Sequence, residues 1–199
     1  MVKYNGEKKS GKIGQMIYSS WHGRPYMRRM PETVTNPRTE AQQAHRNAFA
    51  AVSRLSSDLK EAHLIGLHQQ ALRQKLDTYS VFKKLNKWCY ADGSIHYPTV
   101  IVSKGPVRAV RIESVEVDEL RVLRMTFSGE VTEEDVGDTL HLFIYCAELR
   151  DCRSAVPVLR ADGVATMQLP EEWADKALHL YVFLRDGKGR TSETMYAAL

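Results

Sequence analysis

The chain has 199 residues, of which 43% are apolar and 26% charged, a balance that is typical of a soluble globular protein and excludes a disordered or fibrous one. A chain of this length buries about 70% of the surface that it exposes when unfolded, so its core needs no disulfide or metal. The net charge of +4 is unevenly distributed along the chain. Residues 1–98 contain 16 Lys and Arg and 7 Asp and Glu, a net charge of +9. Residues 99–199 contain 12 Lys and Arg and 17 Asp and Glu, a net charge of −5.

The N-terminal segment contains a partial match to a phosphate-binding loop. Residues Gly6 to Lys12 follow the G-x-x-x-x-G-K pattern, but Ile13 stands where the motif requires Ser or Thr. An alternating strand pattern follows, in place of the helix whose N-terminus would meet the phosphates. We therefore expect no nucleotide site and interpret this segment as a flexible basic N-terminus.

Residues 13–30 have the pattern of a basic β-hairpin. Side chains alternate from Ile13 to Trp21, and His22-Gly23 supplies the positive φ of a two-residue hairpin turn. The return strand runs from Arg24 to Met30, and Pro25 predicts an edge position because proline cannot donate to a sheet. The candidate interaction residues are the basic and aromatic side chains of this hairpin and its flanks: Lys12, Tyr18, Trp21, Arg24, Tyr26, Arg28, Arg29 and Arg38.

Two or three helices follow the hairpin. Thr39 to Gln42 fits a capping box, and an apolar stripe begins with Ala41 and Ala44 and recurs at helical spacing to Leu59. A helical register continues past Gly66, and Asp77 then caps a last helix. We expect this last helix to carry two faces, an inner one with Val81, Phe82, Leu85, Trp88 and Cys89 and an outer one with Lys83, Lys84 and Lys87.

From residue 97 the pattern changes to about eight short extended runs separated by turn residues. Ala161-Asp162-Gly163 and Asp186 to Gly189 are strong hairpin-turn sequences. Seven or eight strands in about 100 residues predict a small β-sandwich, with an immunoglobulin-like or fibronectin-type arrangement. The predicted fold class is therefore α+β, with a basic β-hairpin and helices in residues 1–96 and an all-β immunoglobulin/fibronectin-like sandwich domain in residues 97–199.

Two acidic segments in the second half are interpreted as structural. The stretch from Glu130 to Asp138 lacks the alternating carboxylate order of a calcium loop, which favours a solvated loop. Glu171 to Asp175 follows Pro170 and has the pattern of a one-turn helix between strands. We expect Trp173 within it to fill the core.

The motifs of the first half resemble an uncharacterised bacterial domain-of-unknown-function family. They are Gly11-Lys12-Ile13-Gly14, Trp21-His22-Gly23, Tyr26-Met27-Arg28, Pro31, Pro37-Arg38-Thr39-Glu40-Ala41-Gln42, Arg46 and Phe49. Tyr97-Pro98 and Ile101 to Gly105 resemble later segments of the same family, whereas His22 stands where the family usually has Lys. The resemblance covers residues 11 to about 105 and the β-rich remainder only in pattern. It implies one recurring unit of bacterial origin or carried by a bacterial mobile element, and it implies no activity.

The sequence predicts no catalytic, cofactor or metal site. It contains no G-x-S-x-G or H-E-x-x-H motif, and its three cysteines, Cys89, Cys146 and Cys152, show no C-x-x-C spacing, which favours free thiols. No apolar stretch has the length of a signal peptide or a membrane span. We therefore expect a protein of the cytoplasm, or of a particle assembled inside the cell, without a small-molecule substrate.

The leading functional hypothesis is a non-catalytic structural or protein–protein interaction module. The charge split suits contact between copies, and the aromatic hairpin needs cover, so the module would dock through the hairpin in a phage-like or appendage-like assembly. The alternative hypothesis is nucleic-acid binding, in which the arginines meet phosphates and the rings stack on bases. The observation that would discriminate between the two hypotheses is whether the hairpin face is buried against the chain's own helices, because a covered Trp21 cannot stack on bases.

Overall fold

The computed structural model describes residues 3–5, 8–21, 23–33, 36, 38–129, 131–132 and 135–199, with the backbone alone for residues 3–5, 8 and 9. The chain forms two compact units, Met1–Glu40 and Ala41–Leu199, called here the N-terminal unit and the core unit. Each unit is described separately below. Together they contain helices and antiparallel sheets, so the protein belongs to the α+β class.

The N-terminal unit is a four-stranded antiparallel sheet with its strands in chain order. Its strands are β1 (Lys3–Asn5), β2 (Lys8–Ile13), β3 (Met16–Trp21) and β4 (Arg24–Arg29). The predicted hairpin is β3 and β4, and Pro25 lies on the edge strand as expected. His22, in the predicted turn, lies outside the described residues.

Two features of the N-terminal unit differ from the predictions. The predicted strand from Ile13 to Trp21 is broken by a turn at Gly14, whose φ of +56° lets the chain reverse between Ile13 and Met16. The segment interpreted as a flexible N-terminus contains β1 and β2. Residues 8–13 of the partial phosphate-loop match therefore lie in a strand, and the next element is another strand, which is the wrong context for that motif.

The helices belong mainly to the core unit and begin close to the predicted positions. They are α1 (Glu40–Asp58), α2 (Lys60–Gly66), α3 (His68–Gln74) and α4 (Thr78–Leu85). Asp77 caps α4, because its carboxylate accepts a hydrogen bond from the Ser80 amide. Only the second half of α1 is buried, whereas Ala41 and Ala44 are exposed. Among the described helices, none has the length and apolar content needed to cross a membrane.

The β-rich part of the core unit contains one small hairpin and two antiparallel sheets. Its strands are β5 (Tyr90–Ala91), β6 (Ser94–Ile95), β7 (Arg111–Val117), β8 (Val122–Ser128), β9 (Thr139–Cys146), β10 (Asp151–Ser154), β11 (Val158–Leu159), β12 (Val164–Gln168), β13 (Leu178–Arg185) and β14 (Met195–Ala198). The larger sheet has the order β10-β9-β13-β14, with β11 also beside β9, and the smaller sheet has the order β12-β8-β7. A short 3-10 turn at Tyr97–Thr99 replaces the strand predicted there.

The two predicted turn sequences have different roles. Asp186 to Gly189 joins β13 to β14, which pair with each other, so this turn closes a hairpin as predicted. Ala161 to Gly163 instead carries the chain from β11 of the larger sheet to β12 of the smaller sheet. The second turn therefore connects two sheets, and its hairpin prediction was wrong.

The larger sheet is buried on both faces. One face of β9 and β13 shares an apolar cluster with the smaller sheet, whose members include Leu123, Met125, Phe127, Leu142, Ile144, Leu180 and Val182. The opposite face shares a second cluster with the helices, whose members include Val52, Leu55, Leu59, Phe82, Phe143, Tyr145, Tyr181 and Phe183. Helices, larger sheet and smaller sheet therefore form three layers around two apolar clusters.

The core unit extends across the boundary predicted at residues 96 and 97. The helices of residues 40–85 lack a core of their own, because their buried side chains pack on the larger sheet. A polar contact joins the same elements, since Asp58 at the end of α1 accepts hydrogen bonds from Arg150 at 2.8 and 3.1 Å and from the Tyr145 hydroxyl at 3.0 Å. The compact unit accordingly runs from Ala41 to Leu199.

The acidic stretch of residues 130–138 holds a buried arginine in its described part. Nη1 of Arg160 lies 3.4 Å from an oxygen of Asp138 and 3.5 Å from an oxygen of Asp135, and it donates to the Arg108 carbonyl at 3.1 Å. Both Arg160 and Asp138 are buried. The solvated-loop prediction was therefore wrong for these two aspartates, because both lie beside a buried guanidinium.

Three half-buried or buried histidines make the stability of the core unit dependent on pH. Burial lowers the pKa of His63, His141 and His179. The unfolded chain, with histidine pKa values of about 6.5, therefore binds more protons than the folded chain below that pH. We expect the free energy of unfolding to be highest above about pH 6.5 and to fall as the pH is lowered towards 5, as measured by urea denaturation at a series of pH values.

The variant His63→Met provides the control for this pH dependence. His63 is fully buried between Tyr79 and Phe82, and its Nε2 lies 2.9 Å from the Ser56 carbonyl. A methionine removes one titrating group, so the slope of stability against pH should become shallower between about pH 5 and 6.5. An unchanged slope in this variant would contradict the assignment.

Candidate interaction surface

The strand register divides the side chains of the N-terminal unit between two faces. In an antiparallel pair, residues directly opposite each other share a face, and the faces alternate along each strand. Trp21 lies opposite Arg24, Ile17 lies opposite both Arg28 and Lys12, and Tyr26 lies opposite Ser19. One face, called here the basic face, therefore carries Lys12, Ile17, Ser19, Trp21, Arg24, Tyr26 and Arg28.

The opposite face, called here the apolar face, carries Ile13, Met16, Tyr18, Met27 and Arg29. Among the described side chains, the cation of this face is Arg29, whose Nη2 lies 2.7 Å from Oε1 of Glu32 and donates a second hydrogen bond to Gln15 at 3.3 Å. The ion pair is solvent-exposed and contributes little to stability. It does neutralise the charge of Arg29.

The basic face has no such compensation. Among the described residues, no carboxylate lies within ion-pair distance of Lys12, Arg24 or Arg28, and all three side chains are exposed. Two aromatic rings stand between these cations, and Trp21 is 70% exposed. The face can therefore bind an anionic surface or an anionic chain that also offers apolar or aromatic groups.

The N-terminal unit contains no buried residue among those whose side chains are described. Ile13 and Met27 of the apolar face are each more than half exposed, as is Trp21 of the basic face. A small sheet without a covered apolar face is marginal in water. The sheet therefore leaves apolar side chains of both faces accessible to solvent.

The structure brings together five of the eight predicted interaction residues. Lys12, Trp21, Arg24, Tyr26 and Arg28 share the basic face, whereas Tyr18 and Arg29 lie on the apolar face. Arg38 belongs to neither face, since it follows the sheet and precedes α1, with a φ of +46°. The eight residues therefore do not form one surface.

A second exposed group of basic and aromatic side chains lies in the core unit and was not predicted. Trp88, which was expected on the inner side of the last helix, is 79% exposed. The helix ends at Leu85, so the helical spacing used to place Trp88 does not extend to it. The signal that could have found this surface is the run Lys83, Lys84, Lys87 and Trp88 at the end of a helix.

The titratable groups of the described residues were searched for a candidate metal centre. In the part of the chain that the structure describes, no group of three or more His, Cys, Asp or Glu side chains is close enough to hold a metal ion. Cys89, Cys146 and Cys152 are free thiols, and burial raises the pKa of Cys152 to about 12. A thiol with so high a pKa is a poor nucleophile.

These observations define an α+β protein with a three-layered core unit and a separate exposed sheet. The family model of DUF6266, a family of unknown function, matches residues 8–196, so the chain belongs to this family. The resemblance to an uncharacterised family is confirmed, and the match extends through the β-rich part. A comparison with curated proteins found no match.

Proposed function

We propose that this protein is a non-catalytic structural or protein–protein interaction module that docks through its N-terminal sheet onto a neighbouring copy or another subunit of an assembly. The observation that carries the proposal is that no residue of this sheet is buried among those whose side chains are described. Exposed contiguous apolar surface marks interaction sites in soluble proteins. The sheet gains a stable environment only when a partner covers it.

The two faces suit two kinds of contact. The apolar face, with the charge of Arg29 paired to Glu32, can pack against another apolar surface without like-charge repulsion. The basic face requires an acidic partner, and residues 99–199 of a neighbouring copy have a net charge of −5. A phage-like or appendage-like assembly would use both contacts at once.

The test is to substitute side chains of the apolar face and of the basic face in separate variants of the full chain. We expect the variant Met16→Ser with Met27→Ser, and the variant Arg24→Ala with Arg28→Ala, each to weaken self-association or subunit binding by about tenfold or more. Light scattering on protein eluting from a sizing column, at low and high salt, measures the change. Only the contact made by the basic face should weaken with salt.

The control is Leu72→Ser, which replaces an aliphatic side chain of the core unit that is 60% exposed, close to the 56% of Met27. This variant should associate like the parent protein. The proposal is abandoned if the parent protein is a monomer that binds no partner at either salt concentration, or if both sheet variants behave like the control.

The alternative function is nucleic-acid binding through the basic face. The specific observation in its favour is that Lys12, Trp21, Arg24, Tyr26 and Arg28 share one face, because cations and stacking rings are combined in this way on single-strand binding surfaces. The same sizing experiment distinguishes the alternatives through the ratio of absorbance at 260 and 280 nm. A monomer that carries nucleic acid at low salt and releases it at high salt would favour the alternative.

We further propose that the β-rich part is an immunoglobulin- or fibronectin-like module. The orders β7-β8-β12 and β9-β13-β14 correspond to strands A-B-E and C-F-G of such sandwiches, with β10 in the position of an added strand beside C. The helices on the outer face of the larger sheet are additional to that architecture. The free thiols support a location in the cytoplasm or in a particle assembled there.

A further inference from the structure

The core unit carries a groove with an apolar floor and a basic rim, called here the lysine groove. Its floor is formed by Ala48, Phe49 and Val52 of α1, and its volume is about 260 Å³. Phe49 is 57% exposed although it lies in the groove. An exposed phenylalanine beside a concavity of this size provides a place for one inserted aliphatic side chain.

The rim of the lysine groove is formed by Lys83, Lys84 and Lys87 of α4 and the residues after it. The ammonium group of Lys83 lies 5.5 Å from the centre of the Phe49 ring, and that of Lys87 lies 4.6 Å from the centre of the Trp88 ring. No carboxylate lies within ion-pair distance of these three lysines among the described residues. The groove therefore favours a ligand that combines an apolar side chain with carboxylates.

The chain itself presents such a group at the turn between β7 and β8, called here the acidic tip. The sequence of the tip is Glu116-Val117-Asp118-Glu119-Leu120, and all five residues are exposed. Leu120 is 77% exposed at the end of the hairpin. The tip has the opposite charge and the opposite shape to the lysine groove.

The backbone of the acidic tip is held in place. The Leu120 carbonyl accepts a hydrogen bond from the Gln168 side chain at 2.9 Å, and the Asp118 carbonyl accepts one from the Arg121 amide at 2.9 Å. The Asp118 carboxylate accepts another from the Val122 amide. An exposed leucine on a pre-ordered turn loses little conformational entropy when it binds.

We propose that the acidic tip of one copy inserts Leu120 into the lysine groove of a second copy, with Glu116 and Glu119 facing the lysine rim. The contact joins two different patches, so it is a head-to-tail contact that can continue from copy to copy. Both patches lie in the core unit, and the contact does not involve the N-terminal sheet. Because its variants differ from those of the sheet, an effect on association in one set of variants and not in the other distinguishes this contact from the proposed function.

The test uses two charge-reversed forms of the full chain. The groove-reversed variant is Lys83→Glu with Lys87→Glu, and the tip-reversed variant is Glu116→Lys with Glu119→Lys. Each alone should weaken self-association at low salt by about tenfold or more in sedimentation equilibrium. Mixed in equal amounts, the two should associate again, because each reversed patch meets a complementary one on the other protein.

The apolar part of the contact is tested by Leu120→Ser, with Val156→Ser as its matched control. Val156 is an aliphatic residue of the same unit with a similar exposure of 82%. Leu120→Ser should weaken association and Val156→Ser should leave it unchanged. Lys60→Glu with Lys188→Glu, at exposed positions away from the groove, is the control for charge alone.

The results of the charge-reversal experiment distinguish the contact between tip and groove from other contacts between copies. Restored association in the mixture supports it, and thermal melting of each variant shows that the loss is not due to unfolding. A parent protein that stays monomeric at all concentrations overturns the proposal, as does association that persists in both reversed variants. Variants that lose association singly but fail to recover it on mixing also overturn it, because the acidic tip and the lysine groove would then not contact each other.

Discussion

Replacing Arg160 by methionine is expected to lower the free energy of unfolding by about 3–5 kcal/mol, the range for removing one partner of a buried ion pair. The side chain of Arg160 is 1% exposed, and that of its partner Asp138 is 4% exposed. Methionine preserves most of the volume of the side chain but leaves the Asp138 carboxylate without a cation in a dry environment. Urea denaturation of the variant and the parent protein at neutral pH measures the difference.

The pH dependence and a control distinguish loss of charge pairing from loss of packing. Burial and the neighbouring charge of Asp135 raise the pKa of Asp138, and a protonated Asp138 needs no cation. The deficit of Arg160→Met should therefore narrow as the pH falls towards about 4. Arg108→Met removes a half-exposed arginine that contacts Asp135 at 3.3 Å, and it should cost less than about 1 kcal/mol. Equal losses in the two variants, or a deficit independent of pH, would contradict the argument.

Short sequence patterns, such as turns, alternation and capping boxes, predicted the elements that depend on interactions between neighbouring residues. The Gly23 turn and the alternation around it predicted β3 and β4, and the capping sequence at Thr39 predicted the start of α1 at Glu40. The strand β13, at Leu178–Arg185, lies in the region from residue 97 onwards where short extended runs were predicted. Trp173 is buried, as expected for a core residue. In each of these cases the signal lies within a few residues of the feature.

Long-range packing was not predicted, although one signal for it was present. The runs 139–146 and 178–185 are almost continuously apolar, which indicates strands that are buried on both faces, whereas strands covered on one face alternate. That pattern could have indicated that the helices and the β-rich part share a core. No comparable sequence pattern indicates that Arg160 pairs with Asp138, which lies 22 residues away in the chain.

The candidate surface was predicted only in part, because it too depends on pairing between strands. The Gly23 turn lies between β3 and β4, and the register of these two strands alone places Trp21 and Arg24 on one face. The addition of β2, which brings Lys12 to that face, depends on a second turn at Gly14 that the alternation concealed. Trp88 was misplaced because helical spacing was extended beyond the end of α4.

The junction between α2 and the segment that leads into the sheets depends on the absence of a side chain at Gly66. A Cβ atom at this position would lie 2.3 Å from the Val102 carbonyl oxygen and 2.7 Å from the Ser103 Cβ. The Gly66 carbonyl accepts hydrogen bonds from the Thr191 hydroxyl at 3.0 Å and the Lys104 amide at 3.3 Å. Three separate parts of the chain therefore meet at one glycine.

Gly66→Ala is expected to lower the free energy of unfolding by about 3 kcal/mol, the upper end of the usual range for overpacking. The obstacle is backbone, which cannot rotate away as a side-chain end could, so α2 must move from residues 102–104 and stretch the hydrogen bonds to Thr191 and Lys104. Gly187→Ala is the matched control, because its Cβ would meet nothing within 4 Å, and it should change stability by less than about 1 kcal/mol. Urea denaturation measures both variants. If Gly66→Ala were as stable as the control, the helices would not be held against the sheets at this point, and the shared core of residues 41–199 would have to depend on the apolar cluster alone.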